Sequence, residues 1–366
     1  MRSWPLYHQR GRVALSEALA LDDLALSRVA PELAEGELSR LAFIDVETTG
    51  LAGGTGTYAF LVGVGTIEDS RFVLRQFFLG DISSEAAMLA AVSETLNECG
   101  GIVSFNGRRF DIPLLETRHI LNRLRPSAFD IPHVDLLPPA RRLYRHRLPS
   151  CRLVTLEEYV LGVERYDDIP GWLIPSLYFD FARWGNLDRV APVFEHNAED
   201  ILSLVALLGH FGRLAGRQEP EDPYDRLAVA RWDELYGRPD EALRSYEALA
   251  SDHAREDVAP NALEGLGRLY RRMERWEDLR VALEGACRVG DLIQRLRALV
   301  SLAILEEHRF HDYQRAGSLT SRALALNEVM ALRALIVPGP ALRPEGLHHR
   351  LARLRAKQKR KATGVL

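Results

Sequence analysis

Residues 41–50 have the sequence Leu41-Ala42-Phe43-Ile44-Asp45-Val46-Glu47-Thr48-Thr49-Gly50. The four apolar residues that open it are typical of a strand buried on both faces. A glycine-rich turn at 53–56 and an apolar run at 58–64 follow, which predict a second strand antiparallel to the first. Because the turn lacks the Gly-Lys-Ser/Thr of a phosphate-binding loop, we interpret it as a plain tight turn.

Asp45 and Glu47 are acidic residues at the end of this otherwise apolar strand. Side chains two positions apart in a strand point to the same face, so these two start roughly 6–7 Å apart. With an effective dielectric of about 20, two like charges at that distance repel each other by about 2–3 kcal/mol. A bound divalent cation is the simplest way to offset this repulsion, and the pair therefore predicts a metal site.

The composition is that of an ordinary globular protein, with 47% hydrophobic and 27% charged residues and a net charge of −4. The 366 residues exceed what one hydrophobic core usually holds, which predicts two domains. Three scattered cysteines fit a reducing compartment. The sequence has neither a signal-peptide pattern nor the roughly 20 uninterrupted apolar residues of a membrane span. We therefore expect a cytoplasmic protein with no membrane partner.

Four regions are predicted along the chain. Residues 1–40 are expected to form a short helical segment, and residues 41–215 alternate strands with helices, as in a mixed sheet flanked by helices. After a polar, proline-bearing boundary, residues 224–336 predict only helices, with Leu235-Tyr236 recurring 34 residues later as Leu269-Tyr270. A period of about 34 is typical of tetratricopeptide-type helical hairpins. Residues 337–366 form a basic tail.

Asp111, His196 and Asp200 are candidates to join the Asp45–Glu47 pair. Asp111 follows the predicted strand at 102–105, where functional side chains of α/β sheets are often found. His196 and Asp200 are four residues apart on a predicted helix and share one face. Alone, each has a structural alternative: a helix cap, a structural histidine or a solvated acid. Together with the pair they suit two hard cations, Mg²⁺ or Mn²⁺.

These residues lie in three motifs that resemble those of the DEDD 3′–5′ exonucleases, which have a ribonuclease-H-like fold. The motifs are Asp-Val-Glu-Thr-Thr-Gly at 45–50, Asn-Gly-Arg-Arg-Phe-Asp at 106–111 and His-Asn-Ala-Glu-Asp at 196–200. The segments at 53–58, 135–137 and 168–171 resemble most closely the YprB-like branch of predicted exonucleases. The resemblance covers about residues 41–212. It implies an α/β ribonuclease-H-like domain, which would precede an all-α tetratricopeptide-like domain.

The resemblance also implies a reaction, namely metal-dependent hydrolysis of single-stranded DNA or RNA from the 3′ end. Asp45 would bridge two Mg²⁺ or Mn²⁺ ions, Glu47 and Asp200 would complete the first site, and Asp111 would hold the second through water. His196 would orient or deprotonate the attacking water. Its spacing to Asp200, with three residues between, is that of the tyrosine subtype, which leaves the role of His196 open.

Substrate contacts are expected around these acids. The terminal nucleotide is expected to contact Thr48, Thr49, Gly50 and Asn106. The phosphates are expected to contact Arg108 and Arg109. The alternative for these two arginines is a solvated turn without substrate contacts. The helical region is expected to dock a protein partner. The basic tail either contacts nucleic acid or is a disordered solubilising segment. A non-catalytic adaptor and a ribonuclease-H-fold endonuclease are the alternatives to an exonuclease.

Overall fold

The structure is a computed structural model in which the chain divides into two compact units, Met1–Glu219 and Pro220–Leu366. The described residues are 1–33, 38–50, 56–145, 147–165, 168–216, 220–251, 257–333, 335 and 339–362.

The described strands of the first unit form a six-stranded mixed sheet and a separate short hairpin. In chain order they are β1 (Arg2–Pro5), β2 (Gln9–Arg10), β3 (Val13–Ala14), β4 (Leu41–Thr48), β5 (Ala59–Glu68), β6 (Arg71–Phe78), β7 (Gly101–Ser104) and β8 (His133–Asp135). The sheet has the order β1-β6-β5-β4-β7-β8, and β2 pairs with β3. The neighbouring pairs β1–β6, β6–β5 and β5–β4 are antiparallel, whereas the pairs β4–β7 and β7–β8 are parallel. The predicted mixed sheet is confirmed.

The helices of the first unit flank this sheet. They are α1 (Asp23–Val29), α2 (Glu85–Asn97), α3 (Asp111–Leu121), α4 (Leu137–Tyr144), α5 (Leu153–Leu156), α6 (Ile174–Trp184) and α7 (Leu187–Ala215). A π-helical turn, Glu157–Leu161, continues α5. Helix α7 packs against β4 and β5, which places its polar residues beside the end of β4.

The first forty residues differ from the predicted helical segment. Strand β1 adds an edge to the main sheet and pairs Trp4 with Phe72, whose rings lie 6.3 Å apart. The helical part described there is limited to α1 and two 3₁₀ turns, Leu15–Leu19 and Leu38–Arg40. A strand of four residues is too short to show a period of two, and its partner lies about seventy residues away. The local sequence therefore carried no sign of it.

Strands β4 and β5 form the buried centre of the first unit. Leu41 to Ile44 are at most 1% exposed, and Phe60 and Leu61 of β5 are fully buried. Gly63 of β5 gives α7 room to approach, since a Cβ there would lie 2.3 Å from Oδ1 of Asn197. This close approach fixes α7 against the strand next to Asp45, because Asp45 and Gly63 are register partners.

The second unit is all-helical in its described residues. Its helices are α8 (Pro223–Leu235), α9 (Pro239–Ser251), α10 (Val258–Arg272), α11 (Trp276–Ala286), α12 (Leu292–Leu305), α13 (Tyr313–Leu332) and α14 (Pro344–Ala362). Consecutive helices pack on each other around one core. Helices α8, α10 and α12 begin at residues 223, 258 and 292, at intervals of 35 and 34 residues. The two leucines that the predicted repeat aligns differ in burial, however, because Leu235 is 62% exposed and Leu269 is buried. The tetratricopeptide character stays a prediction.

The basic tail is part of the second unit's packing. Leu347 and Leu354 of α14 are buried. Arg350, Arg353 and Lys357 all form ion pairs with Glu307, which lies in a π-helical turn after α12 and is fully buried. The alternative of a disordered tail is therefore wrong for residues 344–362. No helix in the described part of the chain is long and apolar enough to cross a membrane.

Candidate active site

Three elements bring the acidic residues of the predicted metal site to one end of the sheet. Strand β4 carries Asp45 and Glu47, and a register shift between Glu47 and Thr48 ends its regular pairing with β5. The loop after β7 leads to Asp111, the first residue of α3. Helix α7 carries His196 and Asp200 on one face. Nε2 of His196 lies 3.9 Å from Oε1 of Glu47 and 3.7 Å from Oδ2 of Asp200.

The four carboxyl groups are partly buried and share a negatively charged environment. Burial raises the pKa of Asp45 to about 8, and the charges of Asp200 and Asp111 add to this shift. Burial raises the pKa of Glu47 well above its ordinary value, and the charges of Asp45, Asp200 and Asp111 add to the shift. Burial also raises the pKa of Asp200, and it raises that of Asp111 to about 7. Ionising all four groups at neutral pH therefore requires a compensating positive charge.

Arg165 and Asn197 supply polar partners to two of these acids in the structure. Arg165 donates a hydrogen bond to Oδ1 of Asp200, and Nδ2 of Asn197 donates to Oδ2 of Asp45 over 2.8 Å. No three His, Cys, Asp or Glu side chains in the described ranges are arranged around one point as metal ligands. The donor set is chemically suited to divalent cations, since it offers clustered carboxylate oxygens of raised pKa.

His196 has a carboxylate partner that sequence analysis did not assign. Nδ1 of His196 lies 2.8 Å from Oδ1 of Asp168. Burial lowers the pKa of His196, but the charges of Asp200 and Asp168 and the Asp168 hydrogen bond raise it, and the net shift is upward. Asp168 belongs to one of the segments that carry the family resemblance, so the sequence did contain a signal for it.

Arg165 links the site to a buried ion-pair network. Its guanidinium, only 7% exposed, also bonds to Glu157 and lies 3.1 Å from Oδ2 of Asp168. Glu157 in turn accepts hydrogen bonds from Arg10, over 3.0 Å, and from Ser203. Arg165 lies 3 residues before Asp168, 8 after Glu157 and 35 before Asp200, and no periodic pattern in the sequence marks these contacts.

The side chains of Thr48 and Thr49 form hydrogen bonds with the backbone at the end of β4 and after it. The Thr48 hydroxyl donates to the backbone oxygen of Gly50 over 2.9 Å. The Thr49 hydroxyl accepts from the backbone nitrogen of Tyr58, also over 2.9 Å. Residues 51–55, which include 53–55 of the glycine-rich turn predicted at 53–56, lie outside the described residues. Contacts of these groups with a nucleotide stay predictions.

Asn106, Arg108 and Arg109 lie on the loop that precedes Asp111. Asn106 has a positive φ of 65° and its backbone nitrogen donates to Oδ1 of Asp135 over 2.7 Å. Both arginines are exposed, and Arg108 donates to the backbone oxygen of His133 and pairs with Glu32 over 3.1 Å. Asp135, a residue of another resembling segment, thus has a structural function, because it holds the loop that delivers Asp111.

The sheet order and the position of the acids define a class of protein. The family model described as the RNase_H superfamily matches residues 42–211, from β4 into α7, a range that includes all five predicted catalytic residues. The first unit therefore has the fold of the ribonuclease-H-like nucleases.

Within this class the chain belongs to the YprB-like family. It is 30% identical over 361 residues to "Uncharacterized protein YprB" of Bacillus subtilis (strain 168), across 97% of this chain and 84% of that protein. The similarity thus covers the helical unit too. The expectation that it would stop near residue 212 was too narrow.

Proposed function

We propose that this protein is a metal-dependent 3′–5′ exonuclease acting on single-stranded nucleic acid. The main support is the cluster of four carboxyl groups, all with raised pKa values, beside His196 at one end of a ribonuclease-H-like sheet. The fold supports a nuclease-type activity. The 3′–5′ polarity rests on the resemblance of the three motifs to the DEDD exonucleases.

The acidic residues have distinct proposed tasks. Asp45, Glu47 and Asp200 would hold one Mg²⁺ or Mn²⁺ ion, and Asp45 with Asp111 would hold a second. When bound, a pair of such ions activates water and stabilises the leaving oxygen of a phosphodiester. Asn197 keeps the carboxyl group of Asp45 in place through its 2.8 Å hydrogen bond.

His196 is the proposed group that orients or deprotonates the attacking water. Its Nε2 faces the carboxyl groups of Glu47 and Asp200. An imidazole is suited to this task because its ordinary pKa of about 6.5 lies close to neutral pH. The negative neighbours of His196 raise its pKa above this ordinary value, so the rate is expected to fall as the pH drops and the ring becomes protonated.

The decisive experiment is a Mn²⁺-supplemented digest of 5′-labelled single-stranded RNA and DNA. We expect the wild-type protein to give a descending ladder from the 3′ end and Asp45→Asn to give none, because the substitution removes the charge and keeps the shape. Asp180→Asn is the matched control, since Asp180 is an exposed acid of α6 paired with Arg189. It should cut like the wild type.

Two other outcomes would overturn the proposal. Cleavage of a circular single strand, which has no 3′ end, would identify an endonuclease. Binding of both linear substrates without shortening would identify a non-catalytic adaptor.

A further inference from the structure

Asp168 and His196 are joined by a hydrogen bond that involves one particular nitrogen of the imidazole ring. Asp168 Oδ1 lies 2.8 Å from Nδ1 of His196, on the side of the ring opposite to the acidic cluster. The other ring nitrogen, Nε2, faces Glu47 and Asp200 at 3.9 and 3.7 Å. The imidazole therefore stands between one carboxylate that fixes its orientation and two that belong to the proposed metal site.

Asp168 is itself held in place from both sides. Its Oδ2 lies 3.1 Å from Nη1 of Arg165, and its Oδ1 also accepts the backbone N–H of Ile169 over 2.9 Å. Arg165 is anchored in turn by Glu157, which is 1% exposed. A continuous chain of hydrogen bonds thus runs from the buried interior to the imidazole ring. Such a chain limits the rotation of the His196 side chain, which would otherwise be free to turn either nitrogen toward the cluster.

We propose that Asp168 is a positioning residue of the exonuclease reaction, an inference that rests on the function proposed above. Asp168 accepts the Nδ1–H of His196, which leaves the lone pair of Nε2, on the side of the ring that faces Glu47 and Asp200, free to accept a proton from the attacking water. The hydrogen bond that one ring nitrogen makes selects which nitrogen carries the proton in the neutral ring. The hydrogen bond to Asp168 thus holds His196, which has the tyrosine-subtype spacing to Asp200, in the orientation that directs Nε2 toward the attacking water.

Asp168→Asn and Asp168→Ala test this role by kinetics. We expect kcat to fall by about 10- to 100-fold, the usual effect of losing a residue that orients a catalytic group, with KM within about twofold of wild type. The matched control is again Asp180→Asn, which breaks another Asp–Arg pair, Asp180–Arg189 at 3.2 Å, away from His196. Because the Asp168 side chain is 26% exposed, both variants are expected to fold. An unchanged kcat in both would overturn the proposal.

A second readout needs no activity. In ¹⁵N-histidine-labelled full-length protein with EDTA, at a pH where the ring is neutral, His196 should show a protonated Nδ1 and an unprotonated Nε2. Its signals are assigned by their loss in His196→Gln. Asp168→Ala should give a mixture of both tautomers, and Asp180→Asn should not.

The two readouts separate the two proposals. A wild-type ring protonated on Nε2 would overturn the role of Asp168. A wild-type protein with the expected tautomer that leaves nucleic acid intact would contradict the exonuclease function and leave the orienting role of Asp168 standing.

Discussion

The ionisation of Asp45 is expected to link the stability of the protein to pH and to metal binding. Its pKa is about 8 in the folded protein, against an ordinary value of 3.8. Between these values Asp45 keeps its proton in the metal-free folded state and loses it in the unfolded state, so its contribution to the free energy of unfolding decreases as the pH rises from about 4 to about 8. The carboxyl group is therefore a source of instability at neutral pH that a bound cation would relieve.

Asp45→Asn should accordingly stabilise the metal-free protein at alkaline pH. In EDTA at pH about 8.5, we expect the free energy of unfolding of the variant to exceed that of wild type by about 1–3 kcal/mol, with a smaller difference at pH about 5. Mn²⁺ should raise the melting temperature of wild type, increasingly so as the pH rises, and should leave the variant unchanged. Urea unfolding and calorimetry measure these quantities.

The alternative for Asp45 is an ordinary structural role as the acceptor of the Asn197 hydrogen bond. In that case the variant would be less stable than wild type at both pH values. Asp180→Asn, which changes an exposed acid, should show little effect at either pH.

At the scale of elements, the close contact between β5 and α7 determines the geometry of the site. A Cβ on Gly63 would lie 2.3 Å from Oδ1 of Asn197 and 2.4 Å from Cδ1 of Ile201. Because Asn197 is the residue that holds the carboxyl group of Asp45, any displacement of α7 is transmitted to the acidic cluster. The contact is thus both a packing feature and a functional one.

Gly63→Ala should reduce activity by more than its effect on stability accounts for. We expect a loss of about 1–3 kcal/mol in the free energy of unfolding, as is usual for an overpacked core, and a markedly lower Mn²⁺-dependent nuclease rate at a temperature where the variant is fully folded. Gly80→Ala is the control, since a Cβ at Gly80 meets no atom within 4 Å. Equal stability and rate for the two variants would show that α7 tolerates the displacement.

The elements that sequence analysis predicted are those with a strong local pattern. The apolar run of β4 and the helical spacing of His196 and Asp200 needed no knowledge of distant contacts. Strand β1 and the Asp168–His196 and Arg10–Glu157 pairs had no such pattern, because their partners are far away in the chain. Asp168 lies 28 residues before His196, and Arg10 lies 147 residues before Glu157. Single-sequence periodicity cannot reveal pairs of this kind.

For the whole molecule, the net charge of −4 means that attraction to nucleic acid must come from local basic surfaces. Helix α14 is the most basic segment, but Glu307 pairs with three of its cations, Arg350, Arg353 and Lys357. Deleting the helix would also remove the buried Leu347 from the core of the second unit. A test of its binding role therefore has to change exposed charges and keep the packing.

The triple variant Arg355→Gln, Lys359→Gln, Arg360→Gln meets this condition, since all three side chains are exposed. If α14 binds the substrate, affinity for single-stranded nucleic acid should fall. The slope of log affinity against log salt should become shallower by about 0.7 for each phosphate that the variant no longer neutralises. Fluorescence anisotropy with the inactive Asp45→Asn background at several salt concentrations measures both. The control replaces three exposed arginines elsewhere in the second unit, Arg244, Arg272 and Arg333.

The control distinguishes local binding from a change in overall charge, because both triple variants lower the net charge by the same amount. A weaker affinity confined to the α14 variant would identify this helix as part of the nucleic-acid surface. Equal weakening in both variants would mean that only the overall charge matters. An unchanged slope in the α14 variant would make α14 a structural helix, whose paired charges hold it to Glu307.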